Sequence, residues 1–311
     1  MAEKSSERQR FLWRRRQRRM KERDRAGVRR NQVRILQLEE TSTRYDPLAR
    51  PAIPVPLNIK GPKHGLKIAV ITDAQVRAGV PINHLVACAN YLTEIRPDVI
   101  VNIGDFGDMP SLSTYSPAGS LEAETTRYKT DVAAVKQAMT AFLTPIHAVR
   151  GWNPKLIFTL GNHEDRITRT VAVNPRHLQG IMSVDDLGYR EAGWTVYPFL
   201  QPIVIGGVAF CHYFPSGIMG RPITSAAALL AKMHMSCFAG HLQGRDIAFS
   251  KRADGASMTA IISGSFYQHH EEYLSPLANN HWRGMFVLHE VRDGMFDDMA
   301  ISVNYLLRKY T

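Results

Sequence analysis

Cysteine is scarce in this chain. There are three in 311 residues (Cys88, Cys211 and Cys237), and no two are spaced as a CxxC pair. That speaks against a disulfide framework and against a zinc ribbon, and it makes a reducing compartment the default. Long apolar runs are missing too: none reaches the roughly 18–20 residues of a membrane span. The N-terminus is rich in arginine but has no apolar stretch behind it, so a secretory signal is not predicted. Glu3, Glu7, Glu22 and Asp24 speak against a transit peptide. The expected location is the cytoplasm, with no membrane partner. Hydrophobic residues make up 44% of the chain, which suits a globular protein with a sizeable core.

Positive charge is plentiful but local. The chain carries a formal +11, and residues 1–35 hold 14 Lys+Arg against 4 Asp+Glu, so the rest is left at +1. This excludes reading the whole protein as a basic nucleic-acid coat. Within the arm, Arg14, Arg15, Arg16, Arg18 and Arg19 lie close to Phe11 and Trp13. Guanidinium groups neutralise phosphates and aromatic rings stack on bases, so the arm is expected to bind nucleic acid. A solvated tail or a partner-binding helix would show the same composition.

Three zones follow. Residues 1–40 form the basic, partly helical arm. Residues 41–65 contain Pro47, Pro51, Pro54, Pro56 and Pro62, a density that forbids regular helix and reads as an extended linker or wrapping segment. Residues 66–311 form the body. Its first half alternates short β-branched runs at 66–72, 98–103 and 155–160 with helical stretches near 82–95 and 120–148, the signature of βαβ units and a mostly parallel sheet. From Thr195 onward short strands dominate, at 195–199, 202–206, 208–212, 236–239, 246–251 and 258–264. A final pair lies near 285–291 and 298–305, and one helix near 224–235, with His234 and Met235 on it. The expected fold class is mixed α/β: a two-sheet β-sandwich flanked by helices.

Chemistry gathers at the carboxyl ends of these strands, where open α/β sheets bind ligands. The first strand runs into Asp73-Ala-Gln75 and the second into Gly104-Asp105-Phe-Gly-Asp108. The third runs into Gly161-Asn162-His163-Glu164, and later ones into His212 and Gly240-His241-Leu-Gln243. Carboxylate, amide oxygen and imidazole together suit Mn²⁺, Fe, Zn²⁺ or Mg²⁺. The glycines before Asp105, Asn162 and His241 are expected to let the backbone turn so that these side chains converge.

In order and spacing these blocks resemble the calcineurin-like metallophosphoesterases, whose pattern is D-x-H, G-D-x-x-D, G-N-H-[DE], a lone His and G-H-x-H. A phage or prophage type is the closer likeness. The resemblance covers about residues 66–305, and implies a metallophosphoesterase-like fold and two divalent metal ions, Mn²⁺ first and Mg²⁺, Fe, Ni²⁺ or Zn²⁺ as alternatives. By position, Asp105 would bridge them. Asn162, His212 and His241 would complete one site, and Asp73, Gln75 and Gln243 the other. The two glutamines depart from the family's histidines and fall on the same metal, which makes that site weaker and richer in oxygen. His163 would act as general acid with Asp108 orienting it, and Arg166 could meet a substrate phosphate.

The function these readings imply is metal-dependent hydrolysis of a phosphoester, as a phosphodiesterase or nuclease on nucleic acid. Two rivals stand beside it: a catalytically weakened metal-binding or assembly module, and a phosphomonoesterase or protein phosphatase. Oligomeric state is left open.

Overall fold

A computed structural model describes residues 54–114, 125–270 and 281–310. The arm with Arg14, Arg15, Arg16, Arg18 and Arg19, and most of the proline-rich segment, lie outside the described residues.

Strand β2 (Leu66–Ile71) starts the body, and its alternation explains the layering. Leu66, Ile68 and Val70 enter one buried cluster, whereas Ala69 and Ile71 enter another. A strand points successive side chains to opposite faces, so an all-apolar strand must be covered on both. The same split recurs in β3 (Val99–Asn102), where Val99 and Val101 face one way and Ile100 the other.

Strands β2, β3, β4 (Lys155–Thr159) and β5 (Thr195–Tyr197) pair in parallel in chain order. The crossovers are helix α1 (Asn83–Ile95) and helix α2 (Tyr128–Ala148). Crossovers of one hand put successive helices on the same face, and Leu85, Tyr91 and Leu92 of α1 share one core with Val135, Met139 and Phe142 of α2. Helix α1 stops where Arg96 turns left-handed ahead of Pro97. Strands β13 (Gly284–Arg292) and β14 (Met295–Ser302) extend this sheet antiparallel, giving the order β14-β13-β2-β3-β4-β5.

The second sheet has the order β1-β6-β7-β10-β12-β11. It is built from β1 (Val55–Leu57), β6 (Ile203–Ile205), β7 (Val208–Phe210), β10 (Cys237–Ala239), β11 (Asp246–Lys251) and β12 (Ser257–Ile262). Ile203, Val208, Phe210, Phe238 and Ile261 meet Ile68, Val101 and Phe286 between the sheets. The outer face is covered by the helix Ala226–Met233, through Leu229 and Leu230. The result is the expected sandwich of two sheets between helices.

Three boundaries differ from the sequence expectation. Residues 54–65 are not wholly linker, because β1 pairs with β6 through Val55↔Ile203. The last strand ends at Ser302, and Val303–Tyr310 is a helix that buries Val303 and Leu306; its 3.6-residue apolar spacing was masked by the β-branched residues before it. His234 is not on a helix face. It ends the helix in a left-handed conformation, with its N–H bonded to the Leu230 carbonyl.

All three cysteines are free and buried. No helix among the described residues is long and apolar enough to cross a membrane.

Phe238 sits between the sheets, 6.1 Å from the Phe210 ring and 5.4 Å from Phe286. Phe238→Ala should cost about 3–5 kcal/mol in urea denaturation. A loss below about 1 kcal/mol would mean that the inter-sheet core is not what holds the sandwich together.

Candidate metal centre

Because β2, β3 and β4 are parallel, their carboxyl ends share one edge. Strands β7 and β10 are parallel to each other and deliver His212 and His241 to the same place. His212 reaches the first sheet directly, with Nδ1 2.9 Å from the Ile103 carbonyl. That bond fixes the ring so that Nε2 faces inward.

Four donors converge there. His212 Nε2 and His241 Nδ1 each lie 2.8 Å from Asn162 Oδ1. Asp105 Oδ2 is 3.3 Å from His212 Nε2. Ligating atoms of Asp105, His212 and His241 all fall within 4.8 Å of one another, the spacing of a set that could hold one metal ion. Asp105 uses its other oxygen, Oδ1, to accept the backbone N–H of His163 at 2.9 Å, which leaves Oδ2 turned to the imidazoles. Two imidazole nitrogens, a carboxylate and an amide oxygen are a borderline donor set fit for a divalent transition metal.

Asp73 adjoins this cluster through the His241 backbone and is fully buried. Its Oδ2 accepts the backbone N–H of His241 at 3.0 Å and the hydroxyl of Thr72. Its Oδ1 is buried and has no hydrogen-bond partner. A buried anionic oxygen without a donor calls for a proton or a cation. Gln75 is 2% exposed, and its backbone N–H bonds to the Asp105 carbonyl at 2.9 Å. Gln243 Oε1 accepts the Tyr267 hydroxyl at 2.8 Å.

The backbone here is unusual. Asp73, Gln75, Asp105, His241 and Gln243 all have positive φ, between 44° and 68°. Side-chain-bearing residues avoid this region, and such strain gathers at functional sites. So the turning is done by the polar residues themselves, and the glycines have another task. A Cβ at Gly161 would strike the Asp105 carboxylate, and one at Gly240 would strike Thr72 and Asp73. These two glycines allow close approach, and only Gly104, with φ +95°, supplies the left-handed turn.

His163 lies beside the four donors. Its Nδ1 is 3.0 Å from Asp108 Oδ1, and its Nε2 is 3.6 Å from Asp105 Oδ2. Asp108 is gripped in turn by Arg77 at 2.7 Å. Arg166 donates to the Asp108 carbonyl at 2.7 Å, and its Nη2 lies 3.1 Å from His163 Nε2. Arginine only donates, so this contact fits a ring carrying its proton on Nδ1, toward Asp108.

Burial opposes every charge here, and neighbours decide the outcome. It would lower the pKa of His212, but the Asp105 carboxylate pushes it to about 9. It would raise Asp105, but His163 and His212 hold that acid well below the usual carboxylate range. For Asp73 burial wins, and its pKa rises to about 6. His241 falls to about 4 through burial and the nearby His212. Burial would lower His163 as well, but Asp105 and Asp108 raise it.

The sequence reading gave no role to Glu164. It is fully buried and accepts the backbone N–H groups of Asp105, Phe106, Gly107 and Gly161 at 2.9–3.1 Å, together with the Tyr189 hydroxyl at 3.1 Å. One carboxylate thus ties the Asp105 loop to the Asn162 loop. Arg77, Tyr189 and Tyr267 were also missed. Only Arg77 carries a sequence signal, its nearness to Asp73 and Gln75; the contacts of Tyr189 and Tyr267 arise from residues 25 and 24 positions away.

No family model matches the chain. Among curated proteins, the gene 54 protein of Mycobacterium phage D29 is 35% identical over 103 residues; the match takes in 32% of this chain and 36% of that protein, so the chain spans about a third of its length. Among solved structures, the nuclease MPE of Pseudomonas putida aligns over 75% of this chain and 87% of its own at 14% identity and a TM-score of 0.30. A dimetal phosphatase from Danio rerio aligns over 76% and 99% at 10% identity and a TM-score of 0.36. The phosphoesterase Yfce of E. coli aligns over 76% and 100% at 12% identity and a TM-score of 0.34. At these scores, the resemblance to the calcineurin-like metallophosphoesterases rests on the ordered motifs and on the way this chain's own sheets bring them together.

Glu164→Ala would leave four buried N–H groups without an acceptor and should cost about 3–5 kcal/mol in urea denaturation. A cost under about 1 kcal/mol would show that the two loops hold their positions without it.

Proposed function

We propose that this chain is a metal-dependent phosphoester hydrolase acting on the phosphodiester backbone of nucleic acid, in the cytoplasm of a bacterial host. The observation that carries the reading is the convergence of Asp105, Asn162, His212 and His241 on one point, with His163 3.6 Å from Asp105 at its edge. A strand-end turn has no need of such a meeting, and an assembly module has no need of a histidine held by a buried carboxylate.

A bound divalent cation, Mn²⁺ in our reading, would supply Lewis acidity and lower the pKa of a water at the centre. The remaining work falls to side chains. Asp105, Asn162, His212 and His241 hold the cation side of the site, with Asp73, Gln75 and Gln243 beyond it. Asp108, 3.0 Å from His163 Nδ1, pairs with that side of the ring and so keeps Nε2 facing the reacting group. Arg166, now against Nε2, pairs with an arriving phosphate and leaves Nε2 free to take a proton from solvent water and give it to the departing oxygen. No covalent bond to the protein forms. The arm supports the nucleic-acid part of the reading: its arginines would hold a polyanion near a body that is itself almost neutral.

The purified protein with Mn²⁺ should hydrolyse bis-p-nitrophenyl phosphate, and Asp105→Asn or His163→Ala should each lower kcat at least about 10²-fold. Wild type that stays inert with Mn²⁺, Mg²⁺, Ni²⁺ and Zn²⁺ would sink the hydrolase reading. Replacing Arg14, Arg15, Arg16, Arg18 and Arg19 together with alanine should weaken oligonucleotide binding, flatten its salt dependence and leave turnover of the small diester unchanged. Equal oligonucleotide binding by both proteins would remove the arm from the account.

A further inference from the structure

The two halves of the centre are unequal in a way that Tyr267 accounts for. On one side His212 Nε2, His241 Nδ1 and Asn162 Oδ1 already sit at 2.8 Å contacts, with Asp105 Oδ2 at 3.3 Å from His212. The His212 ring is pinned from behind by the Ile103 carbonyl. This half is preorganised: its donors need only exchange their mutual hydrogen bonds for a metal ion.

The other half has no imidazole. Asp73 offers one buried carboxylate oxygen, Oδ1, that has no partner. The amide oxygen of Gln243 already accepts the Tyr267 hydroxyl at 2.8 Å. Tyr267 is itself held firmly. It is fully buried, stacks on His269 with ring centroids 4.4 Å apart, lies under the Arg283 guanidinium at 4.8 Å, and has its hydroxyl 3.4 Å from His281 Nε2. A cation on this side would have to share the Gln243 oxygen with a rigid phenol, and it would find only oxygen donors. Borderline metals gain little from such a set, whereas Mg²⁺ and Mn²⁺ accept it.

We infer that the chain keeps one resident metal ion, on Asp105, Asn162, His212 and His241, and that the position beside Asp73, Gln75 and Gln243 is an exchangeable site for a hard cation, held weak by the bond from Tyr267 to Gln243. The inference rests on the proposed metal-dependent reading and narrows it from two standing metals to one. It also makes Tyr267 a positioning residue: it touches the ligand, not the metal.

The test is metal stoichiometry on the full chain. Protein stripped of metal, loaded with excess Mn²⁺ and passed through a desalting column should retain one equivalent by elemental analysis, with the electron paramagnetic resonance spectrum of isolated Mn²⁺. Titration should then reveal a second, weaker step for Mn²⁺ and Mg²⁺ but not for Zn²⁺. Gln75→His combined with Gln243→His should retain two equivalents and give the spectrum of a coupled pair. Tyr267→Phe should tighten the second step by about three- to tenfold, the worth of one competing hydrogen bond, and leave the first unchanged.

The outcomes separate the two readings. No retained metal overturns the metal-dependent function itself. Two equally tight equivalents in wild type overturn this inference and leave that function standing. A double histidine variant that melts like wild type yet still retains one equivalent also overturns it, because the glutamines would not then be the cause. A second step that Tyr267→Phe leaves unmoved removes Tyr267 from the account.

Discussion

The centre depends on one buried carboxylate that never needs to touch a ligand. Glu164 receives four backbone N–H groups from two loops that are nearly sixty residues apart in sequence, and a tyrosine hydroxyl besides. Burial and the nearby Asp105 push its pKa up, and the backbone donors pull it back. Inside a low-dielectric interior each such bond is stronger than in water, and each unmet donor costs more. The clamp therefore sets the separation between Asp105 and Asn162. Because Asp105 accepts the His163 N–H through one oxygen, it also sets where His163 stands. Three residues of the site thus take their positions from a fourth.

The clamp holds one of five left-handed backbone positions, Asp105, and hydrogen bonds link that loop to the others at Asp73, Gln75 and His241; Gln243 is the fifth. Each such residue costs of order 1–3 kcal/mol and persists only where its surroundings over-determine it. The surroundings here are explicit. Asp73 N–H bonds to the Gly104 carbonyl, Gln75 N–H to the Asp105 carbonyl, and His241 N–H to the Asp73 side chain. The Asp73 and Gln75 turns are thus tied to the turn at Gly104 and Asp105 on the neighbouring strand, and the His241 turn is tied to Asp73 across the two sheets. The parallel order of β2 and β3 makes this possible, because it puts the two turns side by side at one edge.

Much of this was legible in the sequence, and the rest was hidden for physical reasons. Asp105, Asn162, His212 and His241 could be named because each follows an apolar strand, and apolar strands are visible as β-branched runs. The two-sheet class was visible in the change from long βαβ spacing to short strands. Glu164 was not, because its partners are backbone groups, and no pattern of residue types records them. The glycines were seen but misread: Gly161 and Gly240 serve approach, and turning falls to the polar residues beside them. Tyr267 was invisible as a partner of Gln243 because their contact depends on β10 and β12 lying in parallel, a pairing that no local signal fixes. The first turn of the terminal helix Val303–Tyr310 was read as the end of a strand because the β-branched Ile301 and Val303 alternate into it.

Charge balance closes the argument about what the centre must hold. Asp73, Asp105, Asp108 and Glu164 are four buried carboxylates within one cluster of loops. Two guanidiniums, Arg77 and Arg166, stand against them, and both are directed at Asp108. Asp105 and Asp73 are left to the histidines, and for that reason His212 is pushed to about 9 while a proton is its only available charge. Ligand imidazoles must be neutral, so on the proposed reading Asp105, Asn162, His212 and His241 would hold a metal ion in place of that proton, and the ion would supply the same positive charge. The deficit lies within a nearly neutral body, and the basic arm, far away in sequence, is not needed to fill it. On the proposed reading, the arm's positive charge is then left for a polyanion.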